Sequence, residues 1–159
     1  MSLDDLETYP LPPDDAPADQ AALDEFSAEL GTQLPDDYQR FLRGHGAFGI
    51  RGGAVIPVDG AEEHVTVLYG LGGGGDHDVR TNRTTYADRL PSSMIPIGED
   101  ADNGDQIVLV VTGGDRGAVG TFPHDGPDPD QPEDAITIVA ADFSAFLAAL
   151  RRDRQEPDT

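Results

Sequence analysis

The sequence predicts an α+β fold, a mostly antiparallel sheet of about six strands with an N-terminal helix pair and a C-terminal helix packed on it. Three observations predict it. Apolar residues recur at helical spacing near both ends of the chain, while the middle holds short β-branched or aromatic runs separated by Gly, Asp and Pro. Capping residues stand where the periodic segments begin and glycines where they end. The order helix, helix, strands, helix suits helices that cover one face of an antiparallel sheet. At 159 residues the chain is expected to form one domain.

Residues 1–18 repeat Pro and Asp, as in Tyr9-Pro10-Leu11-Pro12-Pro13-Asp14-Asp15, and proline denies this stretch helical hydrogen bonds. It reads as a flexible acidic arm, with docking of Leu3, Leu6, Tyr9 and Leu11 on the body left open. The domain proper is expected over 19–152, with a frayed tail over 153–159. A first helix is expected from Ala21 to Leu30, with Asp19 as N-cap, an apolar stripe of Leu23, Phe26 and Leu30, and Gly31 as terminator. A second follows from Leu34 to Gly44. Pro35 suits its first position, Asp36 and Asp37 face the positive end of its dipole, and Arg43 faces the negative end. Its buried face is Leu34, Tyr38, Phe41 and Leu42.

The expected strands are Ala54–Val58, Val65–Tyr69, Met94–Ile97, Gln106–Thr112, Ala118–Phe122 and Ile136–Ala140. Gly113-Gly114-Asp115-Arg116-Gly117 can supply the positive φ of a hairpin loop, which makes its two flanking strands antiparallel neighbours. A short helix is expected around Thr84–Leu90. The last helix starts at the N-cap Asp142 with Phe143, Phe146, Leu147 and Leu150 on one face, and Arg151, Arg152 and Arg154 at its C-terminal end.

Composition excludes several function classes. Ten basic residues, all Arg, oppose 31 acidic ones for a net charge of −21. Phosphate contact needs a basic surface, so neither nucleic acid nor an anionic membrane is an expected partner. No Cys is present, which removes disulfides, thiol catalysis and Cys-zinc sites. No apolar run approaches the ~20 residues of a membrane helix. The acidic start Met1-Ser2-Leu3-Asp4-Asp5 lacks the regions of a signal peptide, so a cytoplasmic protein is expected. A GC-rich or salt-adapted composition accounts for much of the acidity; charge aimed at a basic partner is compatible with it.

The motifs with catalytic associations are weak. Gly70-Leu71-Gly72-Gly73-Gly74-Gly75 satisfies GxGxxG, but Asp76-His77-Asp78 follows where a helix should open and would repel a pyrophosphate; a flexible loop is the better reading. The run Asp100-Ala101-Asp102-Asn103-Gly104-Asp105 fails the EF-hand spacing, with Val111 where a bidentate Glu belongs, and reads as an acidic turn. His45, His64, His77 and His124 form no HxxxH or HExxH pair, and GxSxG is absent. No cofactor, metal or catalytic residue is expected.

Several segments together resemble the SUKH superfamily, the SMI/KNR-like domain. They are Leu34-Pro35-x-Asp37-Tyr38-x-x-Phe41-Leu42 with the turn His45-Gly46, then Ile95-Pro96-Ile97-Gly98-Glu99-Asp100 and Gly104-Asp105-Gln106-Ile107, then Val119 to His124-Asp125, and finally Ala141-Asp142-Phe143-Ser144-Ala145-Phe146-Leu147. The resemblance covers about residues 19–150, in the family's order. It implies an α+β domain with a curved sheet. Many bacterial members are immunity proteins that bind and neutralise a polymorphic toxin of nuclease or deaminase type; other relatives are regulatory interaction proteins.

The resemblance therefore implies a non-enzymatic protein-binding domain whose partner is a basic toxin domain. The oligomeric state is not set by the sequence. The partner surface is expected at Glu99, Asp100, Asp102 and Asp105, with His124 and Asp125 after a neighbouring strand. A housekeeping module of the same fold, or a small calcium- or metal-dependent enzyme, are the alternatives.

Overall fold

The computed structural model describes residues 6–58, 61–88, 90–100, 104–122 and 136–152. Along the chain run β1 (Thr8–Pro10), α1 (Gln20–Leu30), α2 (Asp36–Gly44), β2 (Phe48–Val58), β3 (Ala61–Leu68), α3 (Val79–Thr85), β4 (Met94–Asp100), β5 (Asp105–Val110), β6 (Val119–Phe122), β7 (Thr137–Ala140), α4 (Phe143–Ala149) and β8 (Arg151–Arg152). One sheet holds all eight strands in the order β1 to β7, with β8 beside β2. Every pairing in it is antiparallel. The expected α+β class is therefore the observed one, with two short strands more than foreseen.

The core lies where the helices meet the inner face of this sheet. Leu23 and Phe26 of α1, Tyr38, Phe41 and Leu42 of α2, and Phe143 and Phe146 of α4 are buried with Ile56, Val65, Ile95, Ile107 and Leu109 of the strands. Phe143 meets the Tyr38 and Phe41 rings edge-on, at centroid distances of 4.9 and 4.8 Å, which locks α4 against α2. Leu147 is half-buried at the rim of this cluster.

Caps form as expected. The Asp19 carboxylate accepts from the Ala22 N–H, Asp142 accepts from Ala145, and Gly31 closes α1 at φ 74°. Asp37 does more than complement a dipole. Its Oδ2 accepts from the Ser144 N–H at 3.0 Å, so α2 also caps the first turn of α4.

Three expectations change. From residue 6 onward the segment read as a flexible arm is part of the body: Leu6 and Ala18 are buried, and Thr8–Pro10 pairs with Ile50–Phe48. Proline blocks a helix there but is tolerated in an edge strand. The short helix spans Val79–Thr85 rather than Thr84–Leu90, because Asp78 caps it by accepting from Arg80 and Thr81. Arg151 and Arg152 do not extend the last helix. Leu150 is already extended, and the two arginines pair as β8 with Val55 and Ala54.

Candidate functional site

The β4–β5 hairpin collects acidic residues at one end of the sheet. β4 ends on Glu99-Asp100 and β5 begins on Asp105, with Asp100 opposite Asp105 and Glu99 opposite Gln106. Gly104, at φ 78°, closes the turn by donating its N–H to the Asp100 carbonyl at 2.7 Å. Val67 of β3 pairs with Glu99, which brings β3 and its Glu63 alongside.

These carboxylates differ in access. Asp100 is 3% exposed and sits behind the surface. Glu63, Glu99 and Asp105 are half-buried. Glu99 ionises above the usual carboxylate range because burial penalises its charge; His77 opposes this and Asp100 adds to it. Its Oε1 lies 3.8 Å from His77 Nε2. Glu63 is also raised, first by burial, then by the charges of Asp105 and Asp100, against a lowering by His64. Beneath them the Tyr69 hydroxyl donates to Gln106 Oε1 at 2.8 Å, both groups being buried. The Tyr69 phenol is pushed up by burial and by Glu99.

Of the sequence-predicted surface, then, Glu99, Asp100 and Asp105 are brought together, with Asp100 turned inward. Asp102, His124 and Asp125 lie outside the described residues. Phe122, the last described residue before His124, pairs with Gln106. Sequence reasoning missed Glu63 and His77. Glu63 joins through sheet order, and His77 through the glycine loop, whose path is set by contacts distant in sequence.

That loop is held by two buried carboxylates. Asp14, 1% exposed, accepts from the Gly75 N–H at 2.8 Å and the His77 N–H at 2.9 Å. Asp78, also 1% exposed, accepts from the N–H groups of Gly72 and Gly74 at 2.7 and 3.0 Å. A Cβ at Gly73 would collide with the Asp14 carboxylate, so the close approach needs glycine. A phosphate would need these same donors, and the chain's own anions occupy them. The loop is therefore built around internal carboxylates, and its end carries His77 to Glu99.

Gly46 has a similar reason. A Cβ there would run into the Asp15 carbonyl group and Ala16 N, so glycine lets the N-terminal segment cross the end of α2. His45 beside it stacks on Phe41 at a 4.9 Å centroid distance. Among the described residues no three His, Asp or Glu side chains are grouped to hold a metal ion, and no helix is long and apolar enough to cross a membrane.

Comparison with known proteins matches residues 17–149 to the SMI1 / KNR4 family (SUKH-1). The chain is also 26% identical over 153 residues to the SPbeta prophage-derived uncharacterized protein YokK of Bacillus subtilis (strain 168), across 86% of this chain and 76% of that protein.

Proposed function

The chain belongs to the SMI1 / KNR4 family (SUKH-1), the superfamily its motifs resemble, and from that premise we propose that it is a non-enzymatic immunity protein acting in the cytoplasm. It binds a basic toxin domain of nuclease or deaminase type and occludes it stoichiometrically, with no chemical step. The observation that carries this reading is the acidic end of the sheet. Glu63 and Glu99 are both raised above their ordinary pKa, first by burial and then by neighbouring carboxylate charges. The repulsion among these carboxylates is unfavourable in the free protein, and a cationic partner offsets that part of the cost. The net charge of −21 adds long-range steering toward that partner.

The test is the double reversal Glu99→Lys with Asp105→Lys, which spares the buried Asp100. Affinity for the C-terminal domain of a toxin encoded beside this gene is measured by calorimetry, followed by a protection assay in cells. The reading expects binding weakened by at least ~100-fold, about 2.7 kcal/mol, at unchanged circular dichroism. Unchanged affinity in the folded variant refutes it.

A further inference from the structure

The outer face of the sheet carries its own apolar layer, in which Leu90, Val108 and Phe122 are buried under Tyr86, Met94 and Ile136. Ile136 leads into β7, the last strand in the sheet order, which pairs with β6 and lies close to β2 and α4. The β6–β7 pairing is bulged: Val119 opposes Ala140, the next pair is Gly120 with Ile138, and Val139 is left over. Glycine at 120 is required, because a Cβ there would stand 2.8 Å from both Ile136 Cγ2 and the Thr137 carbonyl oxygen. The result is an Ile138 side chain that is 45% exposed, the most exposed large apolar group among the described residues. It borders a groove of about 390 Å³ lined by Met94, Val110, Ile136 and the Gly113–Gly114 turn.

We propose that this groove binds a segment of a partner protein that presents an apolar side chain flanked by Lys or Arg. The apolar lining of Met94, Val110 and Ile136 beside the exposed Ile138 suits an occupant that presents an apolar side chain. Charge selects its chemistry. Asp115 is the one charged residue among those that line the groove. The neighbouring Arg116 guanidinium is turned to the Gln33 carbonyl at 2.7 Å. A second copy of this chain would bring another −21 charges to the same place, whereas a cationic segment is attracted.

The proposal rests on the reading of the chain as a binding protein, yet it uses a different surface. Met94, in the groove, opens β4, and Glu99 with Asp100 closes that strand.

The test uses two synthetic heptapeptides, one alternating Arg with Val and Phe, the other alternating Arg with Ser, followed by fluorescence anisotropy near 0.15 M salt. Ile138→Glu makes the chain more negative, so a purely electrostatic attraction cannot weaken. The proposal expects I138E to bind the apolar peptide on the order of ten-fold more weakly than the parent, with the serine peptide unchanged. Ile138→Thr keeps a β-branched residue and is expected to give a smaller loss, which preserves the test should I138E fail to fold. Equal affinity of parent and I138T for the apolar peptide, or equal affinity of the parent for both peptides, overturns it. So does a dimer in 1 M salt that I138E abolishes, since that assigns the groove to a second copy. The acidic-end reversal E99K with D105K should leave the apolar-over-serine preference intact, so failure of the toxin reading and failure of this one give different results.

Discussion

Replacement of Asp14 by Ala should destabilise the protein by about 3 kcal/mol. The carboxylate is 1% exposed and accepts two backbone N–H groups, from Gly75 and His77, at 2.8 and 2.9 Å. Hydrogen bonds to a charged group contribute ~1.5–3 kcal/mol each. Both donors are half-buried, so water reaches them in part and the low end of that range applies to each. Two such bonds give ~3 kcal/mol, a loss that relief of the buried charge reduces slightly. The main-chain tether survives the substitution, because the Asp14 carbonyl still accepts from the Ala47 N–H. Asp14→Asn should cost nearly as much as alanine, since its amide group sets a donor against one of the two N–H groups. Urea unfolding reads the effect as a midpoint lowered by ~1.5 M, for a slope of ~2 kcal/mol per M. Hydrogen exchange should show Gly75 and His77 amides losing protection ahead of the strands. A D14A protein within 0.5 kcal/mol of the parent by the same assay, with both amides still protected, would refute the claim that this carboxylate holds the loop.

Three further outcomes follow from the same structure. Tyr38→Phe should leave stability unchanged or raise it by up to ~1 kcal/mol in urea unfolding, because the buried Tyr38 hydroxyl has no partner among the described residues; a loss above that size would mean an unrecognised bond. Glu99 ionises above its ordinary 4.5, so the folded state holds the proton more tightly than the unfolded chain does. Its contribution is therefore most favourable below 4.5 and declines as pH rises through the raised value, and the stability of Glu99→Gln relative to the parent should climb over that interval; a flat or falling difference in melting temperature between pH 4 and 7 contradicts this. Finally, self-repulsion at a net charge of −21 predicts a higher melting temperature in 1 M than in 0.1 M salt, as the Debye length falls from about 10 to about 3 Å; a constant value would contradict it.

What the sequence discloses here follows the range over which the relevant forces act. Helix caps at Asp19 and Asp142, and the glycine stop at Gly31, are local hydrogen-bond events and can be read directly. The hairpin through Gly113 and Gly117 is equally local, and both take the positive φ it needs. The arm was less legible, because Thr8–Pro10 gains its order from partners more than 30 residues away, Ile50 to Phe48. Arg151 looked like a helix end for the same reason. Its dipole preference is worth a fraction of a kcal/mol, and a ladder with Val55 overrides it. At the candidate site, Glu99 and Asp105 could be paired from one hairpin, but Glu63 and His77 arrive by sheet order and by the Asp14 contact.

The residues that carry the family resemblance are largely engaged inside the fold. Leu34, Tyr38, Phe41 and Leu42 are buried, Asp37 caps a neighbouring helix, and Gly46 makes room for the N-terminal segment. Phe143 and Phe146 close the core. Groups engaged in this way have little left to offer a partner, so a shared motif transmits a frame and the general manner of working. Choice of partner has to lie in what the frame leaves at the surface. On the proposed readings, that is Glu63, which stands beside the motif residues Glu99 and Asp105 at one end of the sheet, and the exposed Ile138 on its last strand. A relative with the same motif residues and different side chains at positions 63 and 138 should keep the architecture and bind a different protein.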